Sequence, residues 1–191
     1  MQAEILATSL RAMNLKVLKT KEPDGGWIGS SVRSILVSER SGQLSAQEEM
    51  LLISAARFDH VKNVIRPALK AGHWVVSDRF VDSTFAFQVF KTGVSEEAFQ
   101  AITSEVVGDT MPDFTFILDI DPAVAIQRRK DRMEGSDIDP AEITRDFTRI
   151  RDGLLEAAKR APNRCHIVDA HASLRDVADS VISIIKRSAY L

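Results

Sequence analysis

Gly72-His73-Trp74-Val75-Val76-Ser77-Asp78-Arg79-Phe80, continued by Val81-Asp82-Ser83-Thr84-Phe85-Ala86-Phe87-Gln88, is the stretch on which the fold turns. Gly72 stops the helical pattern before it, and Trp74, Val75 and Val76 form a short apolar run of the kind that makes a buried parallel strand. An acid and a base follow at the carboxyl end of that strand. In open α/β sheets ligands sit off the carboxyl ends of strands, so Asp78 and Arg79 are candidates for chemistry. The alternative is an ion pair that caps a strand at the surface.

Upstream, Lys16-Val17-Leu18-Lys19-Thr20 reads as a second strand, and Lys21-Glu22-Pro23-Asp24-Gly25-Gly26 as a turn-forming loop at its carboxyl end. Residues 2–13 have the apolar period of an amphipathic helix that Asn14 ends, and residues 28–36 predict a helix carrying Arg33. Ser45-Ala46-Gln47-Glu48 has capping-box spacing and opens a long helix toward Val64, with a kink or restart at Pro67. Downstream the pattern predicts helices over 83–90 and 95–107, a strand over 114–120, and a helix from Asp121-Pro122 into Gln127. A helix over 143–160, a strand over 166–168 and a helix over 174–187 complete the chain. Four strands alternating with helices predict an α/β fold, a helix-covered parallel sheet in one domain over 1–191.

With 45% hydrophobic residues in 191, the chain can bury a core of its own. A net charge of −2 spreads no field of one sign, which argues against nonspecific nucleic-acid binding and makes any phosphate site a local one. The single Cys165 excludes an intramolecular disulfide and suits a reducing compartment. No apolar stretch approaches the ~20 residues needed to cross a bilayer. The opening residues read as an amphipathic helix instead of a signal peptide, so the expectation is a cytoplasmic protein with no membrane or nucleic-acid partner.

Several residues then stand at informative spacing: Glu22-Pro23 after the first strand, Arg33, Ala55-Ala56-Arg57 on the long helix, and Asp78-Arg79-Phe80 leading to Ser83-Thr84 and Phe87-Gln88. This ordered set resembles bacterial thymidylate kinase, a P-loop nucleoside monophosphate kinase family, from Gln2 to the last helix. The resemblance implies a three-layer P-loop NTPase-like fold and transfer of the ATP γ-phosphoryl group to dTMP, giving dTDP, with Mg²⁺ in the site and a homodimer formed through helices. It makes Arg33 and Arg79 the clamps on the dTMP phosphate, where guanidinium forks match phosphate oxygens. It makes Arg57 the donor to a thymine carbonyl and Gln88 the amide at the base edge, with Thr84 beside them. Phe87 takes the place that crowds the sugar, and Ile53 the place where many members stack an aromatic ring on thymine. Glu22 and Asp78 resemble the acids that organise Mg²⁺, directly or through water, and the attacking oxygens. Arg128, Arg129 and Arg132 resemble a lid over ATP phosphates, spanning about 128–146, in which the catalytic arginine is one of the three. Asp169-Ala170 resembles the strand end near the adenine. Read without the family, Arg33 and Arg57 are solvated helix residues, Phe87 core, and 128–132 a solvated charge run.

The sequence also departs from the family. It contains no Gly-x-x-x-x-Gly-Lys-Ser/Thr, the loop whose backbone N–H groups, lysine and hydroxyl hold phosphates and Mg²⁺. Met1-Gln2-Ala3-Glu4 matches the helix that follows such a loop, so the expectation is a shortened chain lacking the first, central strand. Its neighbours would then expose unpaired backbone groups. Lys21 and Asp24 differ from the usual residues of the loop, and the tract from Gly135 to Asp146 is longer than the lid requires. The alternatives are a non-catalytic dTMP-binding or interaction protein on the same fold, or a related kinase with another acceptor.

Overall fold

The computed structural model describes residues 1–38, 41–132, 146–188 and 190. Strand β1 (Val17–Lys21) runs parallel to β2 (Trp74–Asp78), with Val17 opposite Trp74 and Lys21 opposite Asp78. Strand β3 (Thr115–Asp119) runs parallel to β4 (Cys165–Asp169), with Thr115 opposite Cys165 and Asp119 opposite Asp169. The predicted strands are therefore present and parallel, but they form two two-stranded sheets in place of one sheet of four. Among the described residues, no backbone hydrogen bond joins β2 to β3.

Side chains bridge the two pairs instead. Helix α1 (Gln2–Ala12) ends at Asn14, whose left-handed φ of 62° lets Leu15 N–H reach back to Leu10 O at 3.4 Å. Its Leu6 and Ala7 lie in two adjoining apolar clusters, with Trp74 and Val76 of β2 and with Phe116 and Val168 of the second pair. The last helix, α9 (Leu174–Lys186), closes the second cluster with Val177, Val181 and Ile185. Burying each such side chain contributes about 1.5–3 kcal/mol, so apolar contact can hold strands that share no ladder.

The two helices that follow β1 supply residues to a cleft at the carboxyl ends of β1 and β2. Helix α2 (Gly29–Leu36) carries Arg33. Helix α3 (Ala46–His60) begins with the expected capping box: Glu48 N–H donates to Ser45 Oγ at 3.2 Å, and Ser45 N–H to the Glu48 carboxylate at 2.7 Å. It widens into a π-turn over Val61–Ile65 before α4 (Arg66–Lys70). Pro67 has no N–H to give the carbonyl four residues back, which accounts for the irregular turn at this point. After β2, α5 (Val81–Thr84) passes into a second π-turn over Phe85–Val89, where one regular helix is predicted. Helices α6 (Glu96–Val107) and α7 (Pro122–Arg132) follow. The next helix is α8 (Phe147–Arg160), and the predicted start at 143 lies outside the described residues. Of the lid expected over about 128–146, residues 133–145 lie outside the described residues.

Helix α8 buttresses the second π-turn from behind. Arg149 donates to the carbonyls of Ala86, Phe87 and Phe90, and a Cβ on Gly153 would come within 2.8 Å of Ala86 Cα. A polar tie crosses between the strand pairs at the same level. Arg164, just before β4, grips the buried Asp82 of α5 with both nitrogens at 2.8 and 2.7 Å, and Thr115 of β3 joins them. Those hydrogen bonds, ahead of the opposing effect of burial, hold the Arg164 guanidinium above its ordinary range. Replacing Arg164 with Met should strand the Asp82 carboxylate and lower the unfolding free energy by about 2–3 kcal/mol in urea titration. The loss should be larger than that of Arg175→Met, whose salt bridge lies on an exposed helix face.

Candidate active site

Glu22 follows β1 directly, and its N–H donates to Asp78 O at 3.0 Å, so the loop starts as a continuation of the sheet edge. The Glu22-Pro23 peptide is cis. Gly25 and Gly26 then run tight against α3: a Cβ on Gly25 would overlap the His60 ring at 2.2 Å, and one on Gly26 would meet Asp59 at 2.3 Å. The glycines permit this approach, and it brings Glu22 over the last turn of the helix.

There a buried polar network forms. Arg57 donates through Nε and Nη2 to one oxygen of Glu22 at 2.8 and 2.6 Å, and through Nη2 to Thr84 Oγ1 at 2.9 Å. His60 Nδ1 lies 3.3 Å from the other Glu22 oxygen, and its Nε2 2.8 Å from Thr20 Oγ1. A carboxylate only accepts, so the ring proton sits on Nδ1 and the Thr20 hydroxyl serves Nε2. Arg57 is 3% and His60 0% exposed, which makes Arg57 a buried ion-pair partner instead of the solvated helix residue that its position alone suggests. Three chain segments, β1 with its loop, α3 and α5, meet at this point.

The network forms one wall of a cleft of about 720 Å³, counting its open mouth. Arg33, Ile53, Arg57, Arg79, Thr84, Phe87, Gln88 and Glu22 all line it. Arg79 has a left-handed φ of 71°, uncommon for a residue with a side chain and a strained geometry of the kind concentrated at functional sites. Its guanidinium lies 4.7 Å from the centre of the Phe87 ring, while that of Arg57 lies 5.1 Å from the Phe80 ring. Arg33 lies 3.7 Å from Asp24, which also binds Lys21 at 2.5 Å. Asp78 is exposed at the end of β2 and does not line the cleft.

A second group gathers at the carboxyl ends of β3 and β4, apart from the cleft lining. Arg128 donates to the carbonyls of Ala170 and His171 at 2.7 and 2.8 Å, so three of the predicted residues, Arg128, Asp169 and Ala170, share one surface. Asp169 accepts from His171, and Asp119 takes a forked bond from Arg151 at 2.6 and 2.9 Å. Hydrogen bonds from Arg151 hold the Asp119 carboxyl below its ordinary range. Arg129 and Arg132 belong to the last part of α7. Sequence reasoning missed Glu49, Pro23, Leu36, Val37, Phe80 and Ser83 in the lining, and it missed the Arg151–Asp119 pair. Pro23, Phe80 and Ser83 stood in the ordered set without a site role, and Glu49 carried a signal as a carboxylate one turn before Ile53 on the same helix.

The family model described as Thymidylate kinase matches residues 1–181. Thymidylate kinase of Magnetococcus marinus is 38% identical over 176 residues, 92% of this chain and 84% of that one. The thymidylate kinase of Vesicomyosocius okutanii is 34% identical over 185 residues, 97% and 90% of the two chains. A crystal structure of thymidylate kinase from Ehrlichia chaffeensis superposes with a TM-score of 0.76 at 30% identity, covering 96% of this chain and 90% of that one.

Arg57→Met should cost about 3–5 kcal/mol in chemical denaturation, since it leaves Glu22 charged and unpaired in the interior. The Asp59 carboxyl gives a pH signature. Burial pushes it up, but hydrogen bonds from Asn63 and from the backbone of Ile28 and Trp27, with His60 nearby, outweigh burial and leave it below its ordinary 3.8. A depressed folded pKa contributes stability above the unfolded value and loses it as pH falls through the folded one. The stability gap between the chain and Asp59→Asn should therefore be constant above about pH 5 and shrink in stronger acid.

Proposed function

The chain belongs to the thymidylate kinase family, a family of phosphotransferases, and we propose that its cleft binds dTMP for phosphorylation to dTDP by ATP. The observation that carries the site assignment is the convergence of Arg33, Arg57, Arg79, Thr84, Phe87 and Gln88 on one cleft at the carboxyl ends of β1 and β2. Phosphoryl transfer asks a protein mainly to align two polyanions and neutralise developing charge. Arg33 and Arg79 hold the dTMP phosphate at the mouth, with Arg79 braced on Phe87, and release of Asp24 frees Arg33 to do so. Arg57 keeps Nη1 for a thymine carbonyl while its other nitrogens hold Glu22 and Thr84. Gln88 meets the base edge, Ile53 covers the ring, and Phe87 crowds the sugar edge.

ATP belongs on the second surface, with Asp169 and Ala170 near the adenine and Arg128, Arg129 and Arg132 toward the phosphates. Mg²⁺ usually takes one or two carboxylates and keeps water and phosphate ligands. Asp78 fits that pattern. Glu22 fits only through water, because its oxygens already accept from Arg57 and His60. Among the described residues no group of three or more His, Cys, Asp or Glu is placed to hold a metal. When bound, Mg²⁺ neutralises charge on the transferred group.

The reading includes a requirement for a parallel strand and glycine-rich phosphate loop beyond this sequence. Two observations support it: no such motif occurs in the chain, and β2 and β3 share an apolar core yet no backbone ladder. Leu51 and Phe58, both exposed on α3, are the surface for the homodimer. A single buried Cys165, whose thiol burial pushes up, accords with a reducing cytoplasm.

ADP release from ATP, Mg²⁺ and dTMP, measured beside direct dTMP binding, tests both halves. The chain should bind dTMP, and rapid turnover should require a version lengthened by a strand and Gly-x-x-x-x-Gly-Lys-Ser loop, since each preorganised donor is worth ~10²-fold. Failure of dTMP to bind either version overturns the cleft assignment. Turnover by the shorter chain at the rate of the longer one overturns the loop requirement.

A further inference from the structure

One end of the Gln88 side chain is committed. Its Nε2 lies 2.7 Å from Glu49 Oε2, and a carboxylate can only accept, so the amide nitrogen must face Glu49 and Oε1 must face away. Gln88 is 4% exposed and lines the cleft, as does Glu49. Among the described residues Oε1 receives no hydrogen bond, so it stands as an acceptor in the lining. Nearby, Arg57 spends Nε and Nη2 on Glu22 and Thr84, which leaves the two N–H groups of Nη1 as donors. Thr84 precedes the π-turn Phe85–Val89 and Gln88 lies within it, so both come from one short segment.

We propose that Glu49 is a positioning residue for base selectivity: by holding the Gln88 amide nitrogen it makes the cleft present an acceptor beside the Arg57 donor. That pairing matches a pyrimidine edge with a ring N–H beside a carbonyl. A pyrimidine with an unprotonated ring nitrogen beside an amino group presents the reverse pattern and meets acceptor with acceptor. A free glutamine amide could turn over and serve either base; with Glu49 in place it cannot, because the turned amide would set its oxygen against a carboxylate. The cost of leaving buried polar groups mispaired is what allows such a site to reject the wrong base strongly. The inference rests on the cleft being the dTMP site.

Titration calorimetry with dTMP and 5-methyl-dCMP tests it, since these ligands differ only at that edge. The chain should favour dTMP, and Glu49→Gln, isosteric but able to donate or accept, should reduce the preference by roughly tenfold or more. Thermal melting of each variant accompanies the titrations. The exchanged pair, Glu49→Gln with Gln88→Glu, restores an amide donating to a carboxylate and again leaves an acceptor in the cleft, so the preference should return. An unchanged preference in Glu49→Gln, or a folded exchanged pair that does not recover it, overturns the proposal. A chain that binds both ligands without discriminating and a chain that binds neither are different failures: only the second removes the dTMP site itself.

Discussion

Everything at the cleft depends on one buried contact, Arg57 with Glu22. Neither group would be stable alone at 3% side-chain exposure, because an unpaired charge in that environment costs several kcal/mol. Their attraction is offset by the water each gives up, so the pair is weak evidence for net stability. Its value is geometric. Glu22 sits where β1 becomes a loop, Arg57 in the last turn of α3, and Thr84 at the end of α5. Satisfying all three at once allows one arrangement of these segments, and His60, whose other ring nitrogen meets Thr20, takes the second Glu22 oxygen.

Around that contact the chain departs from regular geometry wherever a side chain must be aimed. Arg79 takes a left-handed backbone, and the helices after Arg57 and after Thr84 each open into a π-turn. Each departure costs energy and is held by packing behind it: Arg149 satisfies carbonyls of the second π-turn, and Gly153 lets α8 lie against Ala86. The cleft wall is thus held from behind by residues outside its lining.

The two strand pairs have a different character. Within each pair the ladder is regular; between them there is side-chain packing and the Asp82–Arg164 tie. The cleft residues sit on the first pair and its loops, the Arg128–Ala170 surface on the second. The relative placement of the two surfaces therefore rests on the join between the pairs.

Local rules carried far in this chain. Apolar runs beside Gly72 and before Asp119, the Ser45 capping box and Asn14 as a helix end were legible because strand burial, capping and left-handed tolerance are properties of a few neighbouring residues. The ordered Glu-Pro, Ala-Ala-Arg and Asp-Arg-Phe residues named the family for the same reason: chemistry keeps them at fixed places along the chain. Tertiary structure alone decided which partner each took. Nothing near Arg57 in sequence announces Glu22, 35 residues away, and nothing near Gln88 announces Glu49, 39 residues away. The split of four strands into two pairs was equally a tertiary matter. Propensity specifies that a segment is extended, whereas pairing depends on which edges come within hydrogen-bond reach once the helices have packed.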